Sequence, residues 1–273
     1  YGDTPLGRSI VGTKDSVQSF KRQDFLDYFF GKYGSSNSIF VITGGVESEI
    51  IDEATKSLNN VRSCDAPVYP KVRPQNDTFV SIQSKDTDQV HVTAGVPTHG
   101  MNCEDRYTGE LIATLLGGYM SSRLFQEIRE KRGLAYYAAA RTNEHEDVGS
   151  MVFRSGVQVG KLAEVVEIIA DQIRNVAETM TEEEFLRAKE HTKGTLSIAF
   201  ETSDRVAMEI AFQELFMGES FDIKRELSRY DSVSFEHAKE YARKYFVNVP
   251  LYVAAIGKVS DEELQRIYSV NQI

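Results

Sequence analysis

Apolar residues recur at roughly helical spacing over residues 15–33, where Val17, Phe20, Phe25, Tyr28, Phe29 and Tyr33 sit among Lys, Arg and Asp. Such spacing lines one face of a helix, so the segment predicts one. Gly34 and Ser35-Ser36-Asn37 end it. Ile39-Phe40-Val41-Ile42-Thr43 is a short, β-branched run stopped by Gly44-Gly45, which predicts a strand. A helix over 48–60 follows, with Ser48 as its N-cap. Residues 61–77 break the pattern. Pro67, Pro70 and Pro74 fall among Arg, Lys, Asn and Asp, which resists both helix and central strand and predicts a linker.

Beyond it, the periodicity predicts strands near 78–84 and 88–96, helices near 104–117 and 121–131, and strands near 134–142 and 149–157. Asn143-Glu144-His145-Glu146-Asp147 reads as the loop of a hairpin between the last two. A helix near 160–177 precedes a long one that Thr181 caps, with Glu184 at the reciprocal position of a capping box. Helices continue to about 246, and a strand at 251–256 and a helix at 260–268 close the chain. Strands and hairpins mixed with helices, without strict alternation, indicate an α+β fold.

Sliding the chain by 213 positions aligns two stretches without gaps. Ser19 falls on Ser232, Tyr28 on Tyr241, Gly44 on Gly257, Val46 on Val259 and Glu49 on Glu262. Both copies read helix, strand, Gly-x-Val, acidic helix, which favours a duplicated unit. A far longer stretch precedes the second copy than the first. On a duplicated plan, on the order of 130 residues of the first domain are expected to lie upstream of Tyr1.

The 273 residues are 41% hydrophobic, enough for a core, and carry a formal net charge of -10. That charge argues against nucleic acid or an anionic membrane as the main partner. Cys64 and Cys103 are far apart and form no CxxC, which fits a reduced, cytoplasmic setting. No apolar run approaches the ~20 residues of a membrane span.

Candidate chemistry is sparse. The five histidines are His91, His99, His145, His191 and His237, and none are spaced His-x-x-x-His. Glu190-His191 and Glu236-His237 keep only the last two letters of an inverted zinc motif, and one ligand per helix does not hold a zinc ion. His99 and Cys103 have a ligand-like spacing without a second pair. Gly117-Gly118-Tyr119-Met120 lacks the Lys-Ser/Thr of a phosphate loop. The densest stretch runs from Gly117 to Tyr136: Gly-Gly ends one helix, Ser121 or Ser122 caps the next, and Gly133 ends that one before a strand. Arg129 near the helix end and Tyr136 at the strand start can meet at the corner, where their donors suit an oxyanion or a peptide carbonyl. On spacing alone, the favoured reading is Arg129 paired with a nearby Glu and Tyr136 packed in the sheet.

This stretch resembles the second-domain signature of the pitrilysin, insulinase and mitochondrial processing peptidase family of zinc metallopeptidases. The residues that carry the resemblance are Gly117-Gly118, Ser121-Ser122-Arg123-Leu124, Ile128-Arg129-Glu130 and Gly133-Leu134-Ala135-Tyr136. Pro5-Leu6-Gly7-Arg8-Ser9-Ile10-Val11-Gly12 is similar to the family's segment after its zinc region, and Gly44-Gly45-Val46 to a turn ending the first domain. The resemblance implies a duplicated antiparallel sheet with helices on one face, the first copy truncated. Residues 1–62 are then the end of a zinc-bearing domain, 63–77 a linker and 78–273 a second, non-metal-binding domain. It implies that Arg129 and Tyr136 face a zinc site across a cleft, binding the substrate backbone and stabilising the transition state. The His-x-x-Glu-His motif itself is absent from this chain. Zinc is therefore expected in a parent enzyme and not in this chain, which alone is expected to be inactive. The partners implied are a peptide substrate and either an N-terminal zinc-bearing region or a partner subunit, with homodimerisation a further expectation. The other reading is a non-catalytic subunit or binding module of a peptidase-like complex.

Overall fold

The computed structural model describes residues 1–65, 68–74 and 77–270. Pro67 of the expected linker lies outside the described residues. The chain divides into two units, Tyr1–Arg73 with Thr195–Ile223, and Pro74–Gly194 with Lys224–Ile273.

The second unit is built on a five-stranded sheet of β1 (Phe79–Ser84), β2 (Gln89–Thr98), β3 (Ala135–Glu144), β4 (Gly149–Gln158) and β5 (Tyr252–Gly257), in the order β1-β5-β2-β4-β3. The β2–β4, β2–β5 and β3–β4 pairings are antiparallel, but β1 and β5 run parallel. The sheet is therefore mixed, where an antiparallel one was expected. The cause is topological. β1 and β2 follow each other and run oppositely, so a strand inserted between them must be parallel to one.

Alternation along β2 sets the layers: Val90, Val92, Ala94 and Val96 are at most 2% exposed, while His91 and Thr93 face solvent. Helices α4 (Arg106–Gly117), α5 (Leu162–Thr179) and α9 (Phe235–Phe246) pack on the sheet, and α10 (Asp261–Val270) packs on α5. On α5 the buried set Leu162, Val165, Val166, Ile169, Ile173 and Val176 repeats every three to four residues. Each such side chain contributes roughly 1.5–3 kcal/mol on burial. Thr181 and Glu184 form the expected reciprocal cap at the start of α6 (Glu182–Ala199), with the Thr181 N–H donating to Glu184 Oε2 (3.0 Å) and the Glu184 N–H to Thr181 Oγ1 (3.2 Å).

The first unit contains α1 (Lys14–Ser19), α2 (Arg22–Lys32), α3 (Ser48–Leu58) and α7 (Ser203–Met217). The single helix expected over 15–33 is broken at Phe20-Lys21, where the backbone is extended and Asp24 Oδ2 accepts from the Lys21 N–H (2.7 Å) to start α2. Ser48 is the first residue of α3; Glu47 is the N-cap and makes no side-chain cap bond. The register of 213 holds in the backbone. α2 and α9 begin at Arg22 and Phe235, and α3 and α10 at Ser48 and Asp261. Ser19 Oγ donates to Ser16 O (2.8 Å), and Ser232 Oγ to Arg229 O (2.7 Å). Gly44 and Gly257 both take positive φ, +115° and +146°, a region that disfavours side chains. One element differs. Residues 39–43, expected as a strand, join no ladder, whereas their counterpart β5 lies between β1 and β2. A strand needs neighbours for its N–H and C=O groups, and the described residues supply none here. Among the described residues of this unit, Val72 is the one buried apolar side chain.

Candidate functional site

The corner from Gly117 to Tyr137 begins where α4 meets β3. Leu111, Ile112, Leu115 and Leu116 bury the apolar face of α4. Gly117 lies flush on the strand: a Cβ there would stand 2.2 Å from Ala140 N. The Gly118 N–H closes the helix on Thr114 O (2.8 Å). Ser122 is buried and its hydroxyl caps nothing, because Oγ has no hydrogen-bond partner. Gln126 instead braces the turn by donating from Nε2 to Met120 O (2.7 Å).

Arg123 fixes the next helix from outside. Its Nε and Nη2 donate to Glu184 (3.0 and 2.7 Å), and its other donors reach Thr179 Oγ1 and O (both 2.8 Å). This forked pairing is a strong form of ion pair. Burial pushes the Glu184 carboxyl up, but Arg123 and Thr181 outweigh it and hold the carboxyl below its ordinary range. From Phe125 to Lys131 the helix widens into π geometry, a form found mostly as short insertions and often at functional sites. Leu124 and Ile128 anchor its inner side. The Leu134 N–H donates to Ile128 O (2.8 Å), and Gly133, at φ +61°, turns the chain into β3.

β3 then carries a bulge. Ala135 pairs with Val157 and Ala138 with Ser155, so Tyr136 and Tyr137 together oppose Gly156. Both tyrosines are exposed, Tyr136 at 72%. The absence of a side chain at Gly156 leaves room for the Tyr137 ring, which a Cβ there would approach to 2.6 Å. Tyr137 OH in turn lies 3.4 Å from His91 Nδ1.

Arg129 and Tyr136 are brought together. The guanidinium carbon of Arg129 lies 5.1 Å from the Tyr136 ring centre and 4.7 Å from that of Phe125, within cation–π range of both. Arg129 Nε also approaches Glu130 Oε1 at 3.5 Å, so part of the structural alternative holds for the arginine. Tyr136 is not packed in the sheet. The family resemblance singled out Arg129 and Tyr136, the latter turned outward by the bulge, but not Tyr137 and His91, which strand alternation alone could have flagged.

The remaining candidates do not form a metal centre. His99 is buried; Nδ1 is 3.0 Å from Gly100 O and Nε2 shares a hydrogen bond with Tyr241 OH (3.2 Å). Burial is the main cause that lowers its pKa. His237, expected as a solvated helix residue, is held by Asp105 Oδ1 (3.0 Å). His191 stacks on Tyr119 with ring centres 4.6 Å apart. His145 sits in the β3–β4 hairpin loop, its N–H donating to Val148 O (2.8 Å). Cys64 and Cys103 are free thiols. Among the described residues no three His, Cys, Asp or Glu side chains converge as metal ligands, so the residues do not fit a zinc ion. No described helix is long and apolar enough to cross a membrane.

Comparison with known proteins agrees with this architecture. The chain is 28% identical to an uncharacterized zinc protease of Mycobacterium leprae over 96% of its own length and 60% of that protein's. It is 27% identical to an uncharacterized zinc protease of Streptomyces coelicolor, again over 60% of that protein. The chain thus spans about three-fifths of these relatives. Among solved structures, it superposes with TM-score 0.82 on a chain of complex III2 from Candida albicans (16% identity, 97% of this chain and 66% of that one). It superposes with TM-score 0.81 on a peptidase M16 inactive domain from Pseudomonas fluorescens (15% identity, 95% of this chain and 63% of that one). At these identities the superpositions speak to fold. The sequence of residues 19–191 matches the family description "Peptidase M16 inactive domain", and the chain belongs to the peptidase M16 family.

Proposed function

We propose that this chain is the non-metal-binding portion of a zinc metalloendopeptidase and supplies substrate-binding and transition-state-stabilising groups to a site whose zinc is held elsewhere. The observation that carries the reading is the Arg129–Tyr136 corner, where the guanidinium carbon of half-buried Arg129 lies 5.1 Å from the ring centre of exposed Tyr136 at a helix–strand junction. A guanidinium and a phenol so placed can both donate to one carbonyl oxygen as it gains negative charge. The zinc-protease names of the relatives favour the same reading. A peptide substrate, a zinc-bearing N-terminal region or partner subunit, self-association and a cytoplasmic location belong to it.

The test uses the gene product with any upstream region it encodes, assayed on an internally quenched peptide. Arg129→Ala and Tyr136→Phe are each expected to lower kcat by roughly 10²–10³-fold with zinc content unchanged. Unchanged kcat in both would overturn the role. A non-catalytic subunit is the second reading, favoured by the likeness to a chain of complex III2. A His-x-x-Glu-His motif upstream supports the peptidase, and its absence the subunit.

A further inference from the structure

The solvent face of the sheet carries a charge pattern that the corner does not use. Residues two apart on a strand share a face. Following the register from His91 and Thr93 outward to β1, β5, β4 and β3, no position on this face is Asp or Glu. In a chain with 41 acidic and 31 basic residues, that is a marked segregation. Its two charged positions are Arg141 on β3 and Arg154 on β4, both exposed.

Arg154 pairs with Ala139 and Arg141 with Val152, which makes the arginines diagonal neighbours, about 7–8 Å apart. Neither makes a hydrogen bond, ion pair or ring contact with any described residue. Other arginines of the unit behave differently: Arg123 grips Glu184, Arg243 Glu178 and Arg266 Glu167. Like charges on facing strands repel, and a single carboxylate at either neighbouring position would relieve them. Two unpaired guanidiniums on an acid-free face instead match an anion from outside. Each is a planar fork suited to a carboxylate, and both can reach one such group.

The position sets the ligand. Tyr137, Ala139 and Arg141 follow one another along β3, which forms one edge of the sheet. Four residues of strand at ~3.3 Å each separate Tyr137, at the end of the corner, from Arg141 by about 13 Å. An extended peptide held at the corner and lying along β3 keeps the same rise and the same two-residue alternation. We propose that Arg141 and Arg154 form a subsite for an Asp or Glu side chain of an extended peptide, about four residues from the one held at Arg129 and Tyr136. The inference rests on the reading of that corner as a peptide-binding site.

The experiment is equilibrium anisotropy with the full chain and dye-labelled, C-terminally amidated ten-residue peptides. A single Glu is walked along a neutral Thr/Val/Ala sequence, each peptide having a Gln control. One position is expected to bind about tenfold tighter with Glu than with Gln at low salt. Arg141→Gln/Arg154→Gln should abolish that advantage and leave the Gln peptides unchanged. No position with more than a twofold advantage, an advantage that survives in the double variant, or no binding of any peptide would overturn the subsite. A gain seen only with a free C-terminal carboxylate would overturn the side-chain assignment. Arg129→Ala and Tyr136→Phe should weaken Glu and Gln peptides alike. If they change neither while the Glu advantage persists, the corner reading falls and the subsite stands.

Discussion

Glu144 Oε1 stops 3.8 Å from His99 Nδ1 and has no hydrogen-bond partner. The histidine already spends Nδ1 on Gly100 O and Nε2 on Tyr241 OH, and burial favours its neutral form. The carboxyl therefore gains no counter-charge from it. Burial, and then the charge of Glu110, push Glu144 up to about 7, against the pull of Arg106.

The sign of the pH effect follows. A carboxyl whose folded pKa lies above its unfolded 4.5 makes the native state bind more protons, so its contribution to stability falls as pH rises from about 4.5 to 7. Glu144→Gln is expected to stabilise the protein by roughly 1–3 kcal/mol at pH 8 and to have little effect at pH 4. Urea denaturation at the two pH values measures this. An equal effect at both would show that the carboxyl does not titrate between them.

Gly117 is a packing requirement of the corner. An alanine Cβ at 2.2 Å from Ala140 N would meet backbone, which cannot swing away as a side chain could. Gly117→Ala should cost about 3 kcal/mol, the upper end of overpacking effects, despite alanine's better helix propensity. The midpoint of urea unfolding should fall accordingly, and an unchanged midpoint would mean that α4 shifts off β3 at little cost.

Lys189 is 8% exposed and donates to Val233 O (2.6 Å) and Asp231 O (3.1 Å), at the end of α8 (Ile223–Ser232). Lys189→Met keeps the stem's packing and orphans both carbonyls. A loss of about 2 kcal/mol is expected in thermal or chemical unfolding. A neutral result would mean that water replaces the ammonium without penalty.

Removing one of the two unpaired arginines tests whether they repel. Arg154→Gln is expected to raise stability by a few tenths of a kcal/mol at low salt, with the gain vanishing near 1 M. A salt-independent change would point to packing and not to charge.

Much of the second unit is legible in its sequence because local rules and burial agree there. The Thr181–Glu184 cap, the α4 and α5 stripes and the β3–β4 hairpin all lie where pattern and turn chemistry put them. Partner direction is not a local property, so the parallel β1–β5 pairing was invisible. The bulge at Tyr136-Tyr137 and the π turn at Phe125–Lys131 each depend on one residue's worth of slack, which periodicity does not resolve. Arg129 and Tyr136 were singled out by the resemblance of their stretch to a family signature, not by periodicity. Arg141 and Arg154 required the cross-strand register, since thirteen positions separate them in the chain.

The 213-residue register places similar local sequence in two environments. α2 and α9 start in register, yet Phe25, Tyr28 and Phe29 are 50–65% exposed while Ala238, Tyr241 and Ala242 are at most 1% exposed. A helix of eleven residues without tertiary burial is marginal in water, whatever its caps. In native-state hydrogen exchange of this chain, the amides of α9 should therefore report cooperative opening of the sheet unit, and those of α2 mere fraying, so that two equivalent helices in one polypeptide read out how much protection comes from packing and how little from sequence alone.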